Sequence, residues 1–261
     1  MNNKQYREIN ALNASTLKAC CGGTQYAYDY IHGQVTYSAA SQVAMNLGSA
    51  AHTRLLEPHL FESEWCVSPK FDLRTTEGKA NKKQFDESNA GKNIITDIEL
   101  ELINSFVTAC NKSPAVEMVL REYEKEKSYQ FDLDGISMKA RLDLVSEKDN
   151  VIIDLKTTRD ASPKDFTADI INMNYDVQML HYAHAAMSVK TGGMPNIYVI
   201  ALETTSGEIA LYNITNIVFS NYTQAKYAES IKTYLTVKEM KERPVKYSKN
   251  IVSLELPYWV K

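Results

Sequence analysis

At 261 residues the chain is long enough to bury a sizeable core, as one large domain or one domain with insertions. Charged residues at 23% and hydrophobic residues at 44% give an ordinary globular balance, and no apolar run approaches the roughly 20 residues that span a bilayer. A formal net charge of −3 excludes a protein that coats DNA with a broad basic face, though not an enzyme that grips DNA in a local channel where metal ions add positive charge.

The opening MNNKQYREIN carries no apolar signal region, and Cys20, Cys21, Cys66 and Cys110 form no C-x-x-C pair. A reducing cytoplasm is therefore the expected compartment, with neither a disulfide framework nor a zinc knuckle. From Asn221 to Lys261 there are eight Lys/Arg against four Glu, a mild basic bias that a solvated helix face accounts for.

In residues 12–32 a helix is predicted to start at Asn13 or Ser15, ahead of Leu17, and to break at Gly22-Gly23. Tyr26, Tyr28 and Tyr30 continue into a second helical piece, where their expected role is packing. Ser41 to Pro58 reads as a helix with an apolar face of Val43, Leu47, Ala50, Ala51 and Leu55. Gly48, Ser49 and Ala50 allow a neighbour to approach its backbone closely, and His52 sits within it. Residues 66–95 are polar and lysine-rich without strong periodicity, which predicts a mobile loop or insertion. Helices follow over Thr96 to Lys112 and Val116 to Tyr123.

The pattern then changes to alternation. Ser128 to Leu133 and Ile136 to Val145 flank Asp134-Gly135, a hairpin signal, and Val151 to Thr157 completes an antiparallel meander. A long helix is predicted over Phe166 to Val189, ending at Gly192-Gly193. Strands follow at Asn196 to Glu203 and Glu208 to Ile214, and a last helix runs from Ser220 to Glu242. The succession predicts an α/β sandwich.

Asp143 and Asp154 fall on adjacent strands, and Lys156 shares a face with Asp154. Two carboxylates and a lysine beside an apolar sheet are costly to bury unless something charged lies between them. Hard oxygen ligands suit Mg²⁺ or Mn²⁺ rather than zinc. A lysine there can orient an attacking water, stabilise charge, or act as base if its pKa is depressed. On the next helix Tyr175, Gln178 and Tyr182 share a face, able to support the site or pack beside a DNA backbone.

In this order Asp143, then Asp154-Leu155-Lys156, then Gln178-Met179-Leu180-His181-Tyr182 resemble the PD-(D/E)XK nuclease superfamily, in its RecB-type branch. Gly48-Ser49-Ala50-Ala51-His52 through Leu55-Leu56-Glu57-Pro58, with Leu12 to Leu17, narrow the resemblance to the exonuclease domain of prophage exodeoxyribonuclease VIII. The similarity runs from about residue 9 to about residue 245.

The resemblance implies a restriction-endonuclease-like core, a central mixed β-sheet flanked by helices. It also implies a single nuclease domain over 1–261: a helical part about 9–123, a catalytic sheet core about 124–218 and a C-terminal helix about 219–243. His52, Asp143, Asp154 and the Leu155 carbonyl would bind metal, Lys156 would position or activate water, and Gln178 and Tyr182 would support the site. Either Glu124 or Glu126 would fill a glutamate position before the first strand.

The implied activity is a metal-dependent 5′→3′ exonuclease on linear double-stranded DNA, exposing 3′ single strands for recombination by annealing. The implied assembly is a homo-oligomeric ring, a tetramer, working with a single-strand annealing protein, encoded by a phage or prophage in a bacterial cytoplasm. The rival readings are an endonuclease or single-strand exonuclease of the same fold, and a non-catalytic DNA-binding module. Leu142 replaces the motif's proline, and Asp154 fills its glutamate slot. No cysteine follows Cys110, which excludes an iron–sulfur cluster, and the chain carries no G-x-x-x-x-G-K-[ST] loop for ATP.

Overall fold

A computed structural model of the protein describes residues 3–189 and 193–245, with residues 253 and 255. After a short α1 (Asn3–Glu8), α2 (Ala14–Cys20) starts at Asn13, whose side chain accepts from the Thr16 amide at 2.9 Å. Gly22 and Gly23 separate it from α3 (Thr24–Ile31). Helix α4 (Ala39–Leu56) is capped by Ser38 and stops short of Pro58. Its first two turns are exposed, whereas Leu47, Ala50, Ala51, Leu55 and Leu56 are buried. A turn of 3-10 helix at Pro58–Leu60 leads into α5 (Phe61–Glu64).

Residues 66–95 are not an irregular loop. They form most of a βαβ insertion: β1 (Trp65–Ser68), α6 (Thr76–Ser88) and β2 (Asn93–Thr96), with the two strands parallel. Periodicity misses α6 because no wide apolar stripe holds it. Its order comes from the Thr75 hydroxyl, which caps the Gly78 amide at 2.9 Å, and from Lys82–Asp86 and Lys83–Glu87 pairs one turn apart. Gly78 is required there, since a Cβ would lie 2.0 Å from the Asp72 carbonyl.

Helix α7 (Asp97–Lys112) opens with a Thr96–Glu99 capping box, and α8 (Pro114–Glu122) follows. The central sheet has five strands in the order β3 (Glu124–Leu133), β4 (Ile136–Ser146), β5 (Val151–Thr158), β6 (Asn196–Glu203) and β7 (Ile209–Asn213). All neighbours are antiparallel except β5 and β6, so the sheet is mixed. The parallel pair is joined by a helical crossover.

That crossover is two helices, α9 (Pro163–Asn172) and α10 (Tyr175–Val189), where one was predicted. Asn174 sits between them at φ +55°, in the left-handed region that ends a helix. The predicted stop at Gly192 lies outside the described residues. After β7 come α11 (Thr215–Val218) and α12 (Asn221–Glu239), the latter capped by Ser220. Lys246, Lys249 and Lys261 of the basic C-terminal stretch also fall outside the described residues.

The sheet is covered on both faces. One core layer packs Leu17, Phe166, Ile170, Val177, Leu180 and Tyr227 against Leu142, Ile152 and Val199. The other packs Leu47, Ala51, Leu55, Ile103 and Phe106 against Leu144, Ile153 and Leu155. This is the α/β architecture expected, a mixed sheet flanked by helices. Among the described residues no helix is long and apolar enough to cross a membrane.

Candidate active site

The site is built where the sheet comes apart. Strands β4 and β5 pair only at Leu144↔Ile153, Val145↔Ile152 and Ser146↔Val151. Continued by one step, that register sets Asp143 opposite Asp154, two like charges across a strand pair. Instead Asp143 Oδ2 accepts the Leu155 amide at 2.8 Å, a side chain taking the place of a ladder bond.

On the other flank the β3–β4 register skips the pair between Lys125↔Leu144 and Lys127↔Leu142, which sets Glu126 opposite Asp143. Glu126 adopts φ +53°. The alternation of β4 also slips at this point: Met138, Ala140 and Leu142 share a core layer with Val145, while Leu144 joins the other layer. Glu126, Asp143 and Asp154 thus come from three successive strands at one level of the sheet.

Helix α4 brings the imidazole. His52 Nε2 lies 2.8 Å from the Leu155 carbonyl oxygen, and Nδ1 lies 3.4 Å from Asp143 Oδ2. The carbonyl only accepts, so it selects the tautomer with the proton on Nε2, leaving the Nδ1 lone pair toward Asp143. Burial, and then the charge of Lys156, lower the His52 pKa and keep the ring neutral, the form that ligates metal. Gly48 permits this approach, since a Cβ there would be 3.3 Å from the Thr157 hydroxyl.

The acidic groups are strongly perturbed. Burial and then the charge of Asp154 push the Asp143 carboxyl well above the ordinary carboxylate range. Burial and then Asp143 push Glu126 up to about 7, against the pull of Arg141, whose Nε donates to Glu126 Oε2 at 2.5 Å. Asp154 is fully buried, and the Lys156 ammonium meets its Oδ2 as an ion pair. Burial works against the charge on Lys156, but Asp154 and Asp143 outweigh it and hold the pKa above the usual lysine value.

Helix α10 supplies the opposite wall. Gln178 Nε2 donates to the Tyr182 hydroxyl at 2.8 Å, one turn along the same face. The Lys156 ammonium lies 4.9 Å from the Tyr175 ring centre, and a second lysine, Lys18 on α2, lies at the same distance from that ring. Lys18 Nζ also donates to Gln178 Oε1 at 3.3 Å. Burial, then Lys156, bring its pKa down to about 8.

The structure therefore brings together His52, Asp143, Asp154, the Leu155 carbonyl, Lys156, Tyr175, Gln178 and Tyr182. It separates the two glutamates: Glu126 enters the cluster, while Glu124 is exposed and paired with Lys127 at 2.8 Å. Lys18 and Arg141 were not singled out from the sequence. Arg141 stands two positions before Asp143 on the same strand, a spacing that could have drawn attention to it. Lys18 gave no such signal, because only tertiary packing carries α2 to α10.

Ligand atoms of His52, Glu126 and Asp143 all lie within 4.8 Å of one another. That nitrogen–oxygen set, beside the fully buried Asp154 carboxylate, fits a divalent cation.

Residues 13–254 match the sequence model of a family described as "PDDEXK-like domain of unknown function (DUF3799)". No curated protein matches the chain. Among solved structures, a protein of Eubacterium rectale assigned as an exonuclease aligns with a TM-score of 0.64 at 14% identity, covering 98% of this chain and 96% of that one. A phage-related exonuclease of Haemophilus somnus gives a TM-score of 0.39 at 12% identity, with coverage of 87% and 92%. At such identity the first likeness is one of fold.

Proposed function

The chain belongs to the PDDEXK-like family, and from that premise we propose that it is a divalent-metal-dependent deoxyribonuclease, an exonuclease degrading linear double-stranded DNA in the 5′→3′ direction. One observation carries the proposal: the carboxylates of Glu126 and Asp143, from two adjacent strands, meet a helix-borne imidazole at the point where β4 and β5 part.

His52, Glu126, Asp143, Asp154 and the Leu155 carbonyl would hold the cation, Mg²⁺ or Mn²⁺, which would supply Lewis-acid charge to the scissile phosphate and the attacking water when bound. The rest is done by the chain's own groups. Lys156, paired with Asp154, orients the water and stabilises negative charge growing on the phosphate oxygens. The Asp143 carboxylate, held by the Leu155 amide, fixes the spacing of the two strands that carry the acids. Gln178 and Tyr182, bonded to each other, wall the site from the α10 side.

Exonuclease action, its direction and the duplex preference follow from the resemblance of Leu12 to Leu17 and Gly48 to Pro58 to the exodeoxyribonuclease VIII domain. The same resemblance supports a ring-shaped tetramer around DNA, a single-strand annealing partner that receives the exposed 3′ strand, and a phage or prophage origin in a bacterial cytoplasm. A closed ring would retain DNA despite the net charge of −3.

The test is a timed digest of linear duplex labelled separately at its 5′ and 3′ ends, with Mg²⁺, with Mn²⁺ and with chelator, beside a covalently closed circle. Loss of the 5′ label first, an intact circle and no reaction in chelator are expected. A cut circle would make it an endonuclease. DNA binding without cleavage in any metal would make it a non-catalytic module.

A further inference from the structure

Beside the catalytic cluster, on the α2 side, lies a cavity of about 330 Å³ whose walls include Ser15, Lys18, Tyr26, Tyr30, Tyr37 and Asn174. The tyrosines expected as packing divide into two groups. Tyr28 is 8% exposed and packs with Cys20, Ala27 and Val237. Tyr26 and Tyr30 border the cavity, and Tyr26 and Tyr37 keep 42% and 46% of their surface exposed. Core packing does not account for those rings.

Lys18 joins the cavity to the cluster. It lines the cavity, donates to Gln178 and shares the Tyr175 ring with Lys156. Among the described residues no carboxylate lies within ion-pair distance of its ammonium. A half-buried cation with no carboxylate in direct contact among the described residues, next to a hollow edged by exposed aromatic rings, matches the two faces of a nucleotide: an anionic phosphate and a flat base. In a paired duplex the base would be stacked and out of reach.

Resting on the nuclease reading for its substrate class, we propose that this cavity is a subsite for the nucleotide adjoining the scissile phosphate, held with its base unpaired. The Lys18 ammonium takes that nucleotide's phosphate, and Tyr26 and Tyr37 stack on its base. On a duplex, the base pair at that position must then open before the strand can seat.

The experiment uses the full chain in chelator, where binding is read without cleavage. Short single-stranded oligonucleotides carry 2-aminopurine at successive positions from each end, and fluorescence reports stacking. Quenching confined to one position is expected. Tyr26→Ala and Tyr37→Ala should abolish it and weaken binding about tenfold, while the Phe variants stay within about twofold, in line with stacking as the source. Lys18→Ala should flatten the slope of log affinity against log salt by about 0.7, as loss of one single-strand phosphate contact requires, and Lys18→Arg should restore it.

Quenching at no position, or quenching and salt slopes unmoved in the Ala variants whose circular dichroism matches wild type, would overturn the subsite. Metal-dependent cleavage without quenching overturns the subsite alone. Quenching that responds to the variants in a protein that cleaves nothing overturns the nuclease reading and leaves a nucleotide-binding cavity.

Discussion

The imidazole Nε2 of His52 lies 2.8 Å from the carbonyl oxygen of Leu155, although 103 positions separate the two residues. This contact ties the C-terminal part of α4 to β5 between Asp154 and Lys156. It sets the ring over the place where Asp143 has taken the Leu155 amide from the sheet ladder. One dipeptide unit of β5 thus offers its amide to an acid and its carbonyl to an imidazole.

If His52 is a ligand, His52→Ala should lower Mn²⁺ affinity at least about tenfold by calorimetry and shift the metal dependence of cleavage by a similar factor. The fold should survive, since the ring is 28% exposed and its loss leaves no sealed cavity. Unchanged Mn²⁺ affinity would remove the imidazole from the site.

Lys156 and Asp154 form a buried ion pair, with side chains 12% and 1% exposed. Lys156→Met leaves a buried carboxylate unpaired, and the metal-free protein should lose about 3–5 kcal/mol of stability in urea titration. Adding Asp154→Asn should recover most of that loss, because the charge needing a partner is gone. Neither variant should cleave DNA. Cleavage persisting in both would displace the proposed chemistry.

The raised pKa of Glu126 makes metal-free stability depend on pH. Burial and the neighbouring Asp143 raise folded Glu126 to about 7, while the unfolded side chain titrates near the ordinary 4.5. Above 4.5 the unfolded state therefore binds fewer protons, and stability falls as pH rises toward 7. Neutral, buried His52 works in the opposite sense at lower pH, so the measurement is a difference. Relative to Glu126→Gln, wild type in chelator should lose on the order of 3 kcal/mol between pH 4.5 and 8. Mg²⁺ should raise the melting temperature more at pH 8 than at pH 6, because binding displaces protons. A wild-type curve parallel to the variant's would show Glu126 ionised throughout.

Much of this site could be read in the sequence because strands declare themselves by alternation. The Asp134-Gly135 turn fixed the hairpin, and with it the neighbourhood of Asp143 and Asp154. The choice between Glu124 and Glu126 could not be read: it depends on a left-handed backbone at a non-glycine residue, which no residue pattern announces. The split between α9 and α10 was hidden for the same reason at Asn174. Helix α6 escaped because caps and ion pairs hold it rather than an apolar face. Lys18 escaped because its partners lie 157 and 160 positions away in sequence, at Tyr175 and Gln178.

Gly48 gives the sharpest test of how α4 delivers His52, which follows it by four residues and so lies one turn along the same face. In a free helix Gly48→Ala would gain up to about 1 kcal/mol from propensity. Here the new Cβ would sit 3.3 Å from the Thr157 hydroxyl, tighter than ordinary contact, and where that hydroxyl does not yield α4 withdraws slightly from β5. The two effects nearly cancel in stability, and the melting temperature should change little. They do not cancel at the site, where His52 depends on a 2.8 Å approach to Leu155. Gly48→Ala should therefore weaken Mn²⁺ binding several-fold, and Gly48→Val, with its branched Cβ, by more. Thr157→Ala introduced into the Gly48→Ala protein removes the opposing hydroxyl and should restore affinity. Mn²⁺ affinity indifferent to all three changes would mean that the helix does not hold the ring in place through this contact.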